Sequence, residues 1–288
     1  MSLQHDEYNR KKRNKKLINI GLAFLIFLIL IGTASYISYR PSIRISKVEL
    51  VGGVLVTQPD VEKETLRYLY GSYFFWLFPR GNSFIYPRGA LETFLKNKFK
   101  RIDKINIKRK GFTTLVVEIN ERKPFALWCG ESKTSKSALA LASSSPEVPA
   151  DEHCYFMDNN STIFADAPTF SGDAYFKYYG PVSTSSPLLG SEYISSTTEF
   201  TDLADFIASL KTMSVDPTYL SANNENEFTL VLSSGAKIFF DMREPLSKAS
   251  GNLGALLRTL VTATNTDPTT NIDYIDLRFG NKLYYRLK

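Results

Sequence analysis

The apolar residues divide the chain into one long uncharged run and a longer region of short, alternating segments. Residues 17–39 read LINIGLAFLIFLILIGTASYISY and contain no charged side chain. At about 1.5 Å per residue, a helix over this run reaches roughly 34 Å. That length crosses the hydrocarbon core of a bilayer. The pattern therefore predicts a transmembrane helix over residues 17–39.

Charge on the two sides of this run predicts its orientation. Residues 1–16 form a basic tail that holds +4 of the chain's net charge of +6. Its basic side chains are Arg10, Lys11, Lys12, Arg13, Lys15 and Lys16. Because positive charge stays on the cytoplasmic side, we expect a single-pass type II protein of the cell (inner) membrane, with the bulk of the chain outside the cytoplasm. The alternative is a signal peptide cleaved near Gly32-Thr33-Ala34.

The next region, residues 40–124, predicts the order strand, helix, helix, strand, strand. Residues 43–51 alternate apolar and polar positions, and Thr57 can cap a helix that ends at Gly71. A second helix is predicted over residues 88–99, followed by two strands on either side of Gly111. Between the helices, residues 73–78 are apolar or aromatic. They either touch the membrane or fill the gap between helices and sheet, and the second role is commoner for such runs.

Residues 125–288 predict a second domain of mixed α+β class, with an antiparallel sheet and helices on one face. Hairpins are expected over residues 154–168, 227–241 and 272–287, and helices over 200–213 and 244–263. The Ser/Ala-rich stretch 130–153 is predicted to be a flexible loop. Cys129 and Cys154 flank it, and they form either a disulfide or two buried, reduced thiols.

The last hairpin raises the question of how its second strand is covered. Gly280-Asn281 suits a two-residue turn that places Phe279 opposite Lys282, Leu277 opposite Tyr284 and Ile275 opposite Arg286. Since no strand follows residues 282–287, this strand lies either inside the sheet or at its edge. An edge can accept a strand from a partner protein. It can also be an ordinary edge that Lys282, Arg286 and Lys288 protect.

Catalytic chemistry finds no support in the sequence. The two histidines, His5 and His153, lack metal-ligand spacing, and no nucleophile or phosphate-loop motif occurs. Asp273 and Asp276 would point to opposite faces of a strand, so they cannot share acid–base work. We therefore expect no enzyme, cofactor, metal or small-molecule substrate. The basic segment 96–110 is either a solvated face or a site for anionic lipid or an acidic partner, and nucleic acid is not expected there.

Three features together resemble a known bacterial family. The strand-helix-helix-strand-strand unit after an anchor resembles a POTRA domain, ERKPFALW (121–128) is similar to the link that follows it in FtsQ/DivIB cell-division proteins, and YIDLRFGNKLYYR (274–286) is similar to their C-terminal hairpin. The resemblance implies partner binding at the C-terminal edge. The partners it implies are FtsB/DivIC-like and FtsL-like coiled-coil membrane proteins. The matching residues are Phe279, Asn281, Leu283, Tyr284 and Tyr285.

The resemblance implies a membrane scaffold of the division septum that regulates septal peptidoglycan synthesis. The main alternative is a POTRA-containing component of envelope assembly or transport, because POTRA units also occur there. A third hypothesis, an anchored hydrolase, predicts an activity that site mutants abolish. The Ser/Ala loop, the cysteine pair and the end of the sequence just after the hairpin depart from the family pattern.

Overall fold

The structure is a computed structural model in which the chain forms two compact units, Met1–Glu121 and Arg122–Lys288. It describes residues 2–73, 76–130, 153–170, 174–182, 187–223, 226–264, 270–280 and 282–288, without the side chains of 2–9, 11 and 261–264. The predicted domain boundary, after residue 124, lies close to the boundary between these units.

The first unit begins with a long apolar helix, α1 (Ser2–Ser38). Within it, Lys12–Ser38 is long and apolar enough to cross a membrane, with a mean hydropathy of 2.5. Its apolar side chains are exposed, as a membrane span or a signal sequence requires. A turn of 3₁₀ helix, Pro41–Ile43, follows.

The rest of the first unit has the predicted order of strands and helices, with one extra hairpin. The elements are β1 (Lys47–Val51), α2 (Gln58–Leu69), β2 (Ser72–Tyr73), β3 (Phe78–Pro79), α3 (Arg88–Lys98), β4 (Ile102–Lys110) and β5 (Thr114–Glu121). The larger sheet has the order β1-β5-β4, with β1 parallel to β5. Thr57 caps α2 as predicted, since its side chain accepts the Asp60 N–H.

In its described residues, the second unit has one nine-stranded sheet and two helices. Its elements are β6 (Ala126–Trp128), β7 (Tyr155–Met157), β8 (Ile163–Asp166), β9 (Lys177–Tyr179), α4 (Thr197–Thr212), β10 (Pro217–Ala222), β11 (Glu227–Leu232), β12 (Lys237–Asp241), α5 (Leu246–Thr264), β13 (Ile272–Phe279) and β14 (Lys282–Leu287). The strand order is β14-β13-β12-β11-β10-β9-β6-β7-β8.

The prediction of an antiparallel sheet is wrong for part of this unit. Three neighbouring pairs are parallel: β6 with β9, β9 with β10, and β12 with β13. The helix α4 lies between β9 and β10 in the chain, and α5 lies between β12 and β13. A helical crossover returns the chain to the same end of the sheet, so the following strand runs parallel. The two predicted helices, each lying between two strands in the chain, could therefore have indicated parallel pairs in the sheet.

Both helices contribute to one core on one face of the sheet, as predicted. Phe200 and Leu203 of α4 and Leu253 and Leu257 of α5 belong to a single buried cluster with the inward residues of the strands. The helices lie side by side, with Ser209 Oγ 3.3 Å from Ser250 Oγ. The opposite face of the sheet near β14 is thus left without a helix from the described part of this unit.

The two cysteines form a disulfide, which decides between the two predicted alternatives. In the antiparallel pair β6–β7, Trp128 lies opposite Tyr155. The next residues along the two strands are therefore neighbours, and Cys129 is joined to Cys154 with their Cα atoms 4.2 Å apart. Both lie in a small buried cluster with Phe156 and Phe164. Of the predicted loop 130–153, residues 131–152 lie outside the described residues.

Candidate partner-binding edge

The strand β14 forms one edge of the nine-stranded sheet. Within the described part of the chain, it pairs with β13 and with no other strand. This answers the question left by the sequence: residues 282–287 lie at an edge and not inside the sheet. Its side chains are exposed except for Leu283, which is half-buried and packs against the core.

The backbone of β14 directs alternate amide groups away from the sheet. The Lys288 N–H donates to the Asn271 carbonyl at 2.9 Å, which places the backbone of Lys288 on the inner side. Because backbone groups alternate sides along a strand, those of Leu287, Tyr285 and Leu283 point outward. These three residues offer about six donors and acceptors to an added strand.

Two of the three charged side chains that could guard this edge, Arg286 and Lys288, are held by the chain's own sheet, whereas Lys282 is exposed. The Arg286 guanidinium pairs with Asp273 (Nε–Oδ2 2.7 Å) and lies over the Tyr274 ring. Lys288 Nζ donates to the carbonyls of Ser234 and Thr270 at 3.0 and 3.1 Å. Both contacts draw the cations back over the sheet, so they shield the outer edge less than solvated side chains do.

The open face beside the edge carries a network of paired charges. Arg278 donates to the buried Asp276 carboxylate (Nη2–Oδ2 2.6 Å), lies 3.7 Å from Glu227 and covers the Phe239 ring. Further along the same face, a hydrogen bond from Arg243 lowers the pKa of Asp241. The Asp241 carboxylate therefore keeps its charge to a lower pH than an isolated aspartate.

The predicted register of the final hairpin is wrong beyond its first pair. Phe279 does lie opposite Lys282, but Asp276 lies opposite Tyr284 and Ile275 opposite Tyr285, with an irregularity between Asp276 and Phe279. The Asp276 carboxylate accepts the Arg278 N–H at 3.1 Å, which takes this amide out of the ladder. The register predicted from a two-residue turn assumed a regular ladder on both strands, so it could not include this bulge.

The structure brings most of the predicted site residues together on this hairpin. Phe279, Tyr284 and Tyr285 are 55%, 50% and 45% exposed. The rings of Phe279 and Tyr284 meet edge to face at 5.2 Å. Leu283 contacts the core instead, and Asn281 lies outside the described residues. Because of the shifted register, Tyr284 shares the open face with Asp276, whereas Tyr285 lies on the side of the core.

Leu287 belongs to the predicted edge strand but is not among the predicted partner-binding residues. It is 52% exposed, and it is the third residue whose backbone points outward. An exposed leucine at the last full position of a strand was the available signal, since apolar residues at an unguarded edge are unusual.

The opposite edge of the same sheet is partly covered. The Ile163 N–H of β8 donates to the Ser191 carbonyl at 2.9 Å, and the Ile163 carbonyl accepts the Gly190 N–H. Thr162 also forms a bridge with Glu192. The segment 190–193 therefore occupies the outer side of β8, and β14 is the more accessible edge.

Comparison of the sequence with protein-family models and with curated proteins found no match. The described residues also contain no group of three or more His, Cys, Asp or Glu side chains that could hold a metal ion. The geometry of β14 is therefore the main evidence about the activity of this unit.

The remaining predicted residues lie in the first unit. Five basic residues in the N-terminal part of α1 are exposed, and the side chain of Lys11 lies outside the described residues; the five are Arg10, Lys12, Arg13, Lys15 and Lys16. In the run 73–78, Trp76 is 83% exposed, so at this position the run does not fill a core, and Phe74 and Phe75 lie outside the described residues.

Proposed function

We propose that this protein is a single-pass membrane scaffold of the bacterial division complex. In this proposal α1 is the anchor, with the N-terminus in the cytoplasm, and the rest of the first unit is a POTRA-like domain that helps to position the protein at the septum. The second unit captures an extended segment of an FtsB/DivIC-like or FtsL-like partner. The protein has no catalytic role and regulates septal peptidoglycan synthesis through its partners.

The observation that carries the proposal is the accessible edge at β14. A partner strand can hydrogen-bond to the outward backbone of Leu283, Tyr285 and Leu287, while its side chains contact Phe279 and Tyr284. Each hydrogen bond contributes a net of about 0.5–1.5 kcal/mol. Six such bonds offset a large part of the cost of ordering a partner segment. The side chains beside the edge then supply specificity.

The division role is tested by localisation and by partner capture. A fluorescent fusion in the bacterium that encodes the chain should be enriched at mid-cell, and the purified chain should retain the FtsB/DivIC-like and FtsL-like proteins of that bacterium. Uniform envelope staining together with no retention of either protein would refute the proposal.

The envelope assembly hypothesis also assigns a POTRA-like domain to the first unit, but it makes a different prediction about depletion of the protein. It expects depletion of the protein to reduce the insertion or export of envelope proteins while cells continue to divide. The scaffold proposal expects filamentous cells instead. The β14 edge favours the scaffold, because the assembly hypothesis gives that edge no role.

A further inference from the structure

A cavity at the membrane end of the first unit is lined by basic and aromatic side chains. It has a volume of about 570 Å³ and lies between the end of α1 and the β2–β3 hairpin. Its wall includes Tyr39, Arg44, Tyr70, Trp76 and Arg80. We call this the Arg44–Arg80 cavity.

The cavity is fixed to the end of the apolar helix by hydrogen bonds. Ser35 Oγ of α1 donates to the Leu77 carbonyl at 2.6 Å, and the Tyr39 hydroxyl donates to the Trp76 carbonyl. Asn82 Nδ2 donates to Ser38 Oγ at 2.8 Å, and both residues are buried. The hairpin thus lies at the level of the last turn of the segment Lys12–Ser38.

The two arginines have unmet capacity for an anion. Among the described residues, neither Arg44 nor Arg80 lies within salt-bridge distance of a carboxylate. The Nε atom of Arg80 is buried without a hydrogen-bond acceptor. A buried donor with no partner is costly, and an anion in the cavity would supply the missing acceptor. Guanidinium groups bind phosphate well because of their planar arrangement of donors.

The position of the cavity identifies the source of the phosphate. The headgroup region begins where the apolar part of a membrane span ends, and exposed tryptophan is typical of that interface. Trp76 is 83% exposed at the tip of the hairpin, beside the arginines. A soluble anion would explain the arginines but not this exposed indole.

We infer that the Arg44–Arg80 cavity binds the phosphate of an anionic phospholipid in the leaflet at the C-terminal end of α1, with Trp76 in the interfacial layer. The inference rests on the part of the proposed function in which α1 stays in the membrane as an anchor. The lipid contact would be a second attachment to the membrane, and it would hold the part of the first unit that follows α1 close to the bilayer surface. It does not depend on partner binding at β14.

The lipid site can be tested with the whole chain in nanodiscs. The association of spin-labelled phosphatidylglycerol is compared with that of spin-labelled phosphatidylcholine. We expect wild type to prefer phosphatidylglycerol, Arg44→Gln and Arg80→Gln each to lower this preference about fivefold, and the double variant Arg44→Gln/Arg80→Gln to lower it further. The control Arg88→Gln/Lys108→Gln removes the same charge as the double variant, from residues paired with Glu92 and Glu118. It should retain the preference, and equal losses in both double variants would refute a specific cavity.

Tryptophan fluorescence gives an independent readout. In Trp128→Phe the remaining Trp76 should be quenched by lipids brominated near the headgroup, whereas in Trp76→Phe the buried Trp128 should not be quenched. An unquenched Trp76 would refute the inference, as would displacement of the labelled lipid by millimolar glycerophosphate. Intact mass and resistance to carbonate extraction show that α1 is retained, so failure of the anchor is distinguished from failure of the lipid site.

Discussion

Proline at Tyr285 tests whether β14 captures a partner strand. The amide of Tyr285 points outward, so proline removes a donor that the chain's own sheet does not use. Proline is tolerated at such positions of edge strands. We therefore expect Tyr285→Pro to leave the second unit folded and to weaken partner binding.

The magnitude follows from the bonds that an added strand can make. One lost hydrogen bond costs about 1 kcal/mol, which is a fivefold weaker affinity. If the proline ring also separates the strands at the two neighbouring bonds, the loss rises to about 3 kcal/mol, or more than 100-fold. The expected weakening therefore lies between these two limits.

The assay measures affinity and folding in the same variants. The chain in nanodiscs is titrated with the extracytoplasmic part of the FtsB/DivIC-like protein, and thermal unfolding is followed by circular dichroism. Tyr285→Ala keeps the N–H and reports the side chain alone. Arg286→Pro removes an inward amide that faces β13, so it should lower the unfolding temperature. Wild-type affinity in Tyr285→Pro, with the sheet intact, would refute capture by β-augmentation.

Three further predictions concern stability. Burial raises the pKa of Glu121, but the hydrogen bonds that its carboxylate accepts from the N–H groups of Val54, Leu55 and Val56 outweigh burial and lower the pKa below its usual value. The ionised carboxylate therefore stabilises the fold fully above about pH 4.3, and this stabilisation is lost as the pH falls through the lowered pKa. Glu121→Ala should thus cost about 2 kcal/mol at pH 7, and urea unfolding should show the difference from wild type closing as the pH falls below the usual pKa of glutamate; a constant difference would contradict this account. Cys129→Ser should lower the free energy of unfolding of the second unit by about 3 kcal/mol and remove the effect of a reductant on the melting temperature. Asp158→Asn breaks a buried pair with Arg122 and weakens a turn in which Asp158 accepts the amides of Asn160 and Thr162, so calorimetry should show a loss of about 3–5 kcal/mol, and a loss below 1 kcal/mol would show that the pair is not stabilising.

Local signals in the sequence predicted most of the helices and strands. Thr57 and the acidic first turn locate α2, and alternating apolar positions locate β4, β5, β11 and β12 within a few residues. The strands β9 and β10 were missed. The strand β9 has only three residues, and β10 begins at a proline, so neither shows enough alternation to be distinguished from a loop.

The structure places β14 at an edge of the described sheet, one of the two predicted alternatives, but the predicted register of its side chains is wrong beyond the first pair. The edge position depends on the order of strands in the sheet, which is β14-β13-β12 at this end of the described sheet. The face on which each side chain lies depends on the register of the hairpin. That register shifts between Asp276 and Phe279, where the Asp276 carboxylate accepts the Arg278 N–H and the strand bulges. No alternation pattern contains that side chain–backbone contact.

The two proposed contacts of this protein are of different kinds. At β14 the unmet groups are backbone amides, which any extended chain can satisfy, so specificity depends on Phe279, Tyr284 and their neighbours. At the Arg44–Arg80 cavity the unmet groups are guanidinium donors, which require an anion and accept no strand. A partner that binds at β14 should therefore leave the lipid preference unchanged, and loss of the lipid site should leave the intrinsic affinity at β14 unchanged. Coupling between the two would arise only through the orientation of the units at the membrane, and it would then depend on the bilayer and disappear in detergent.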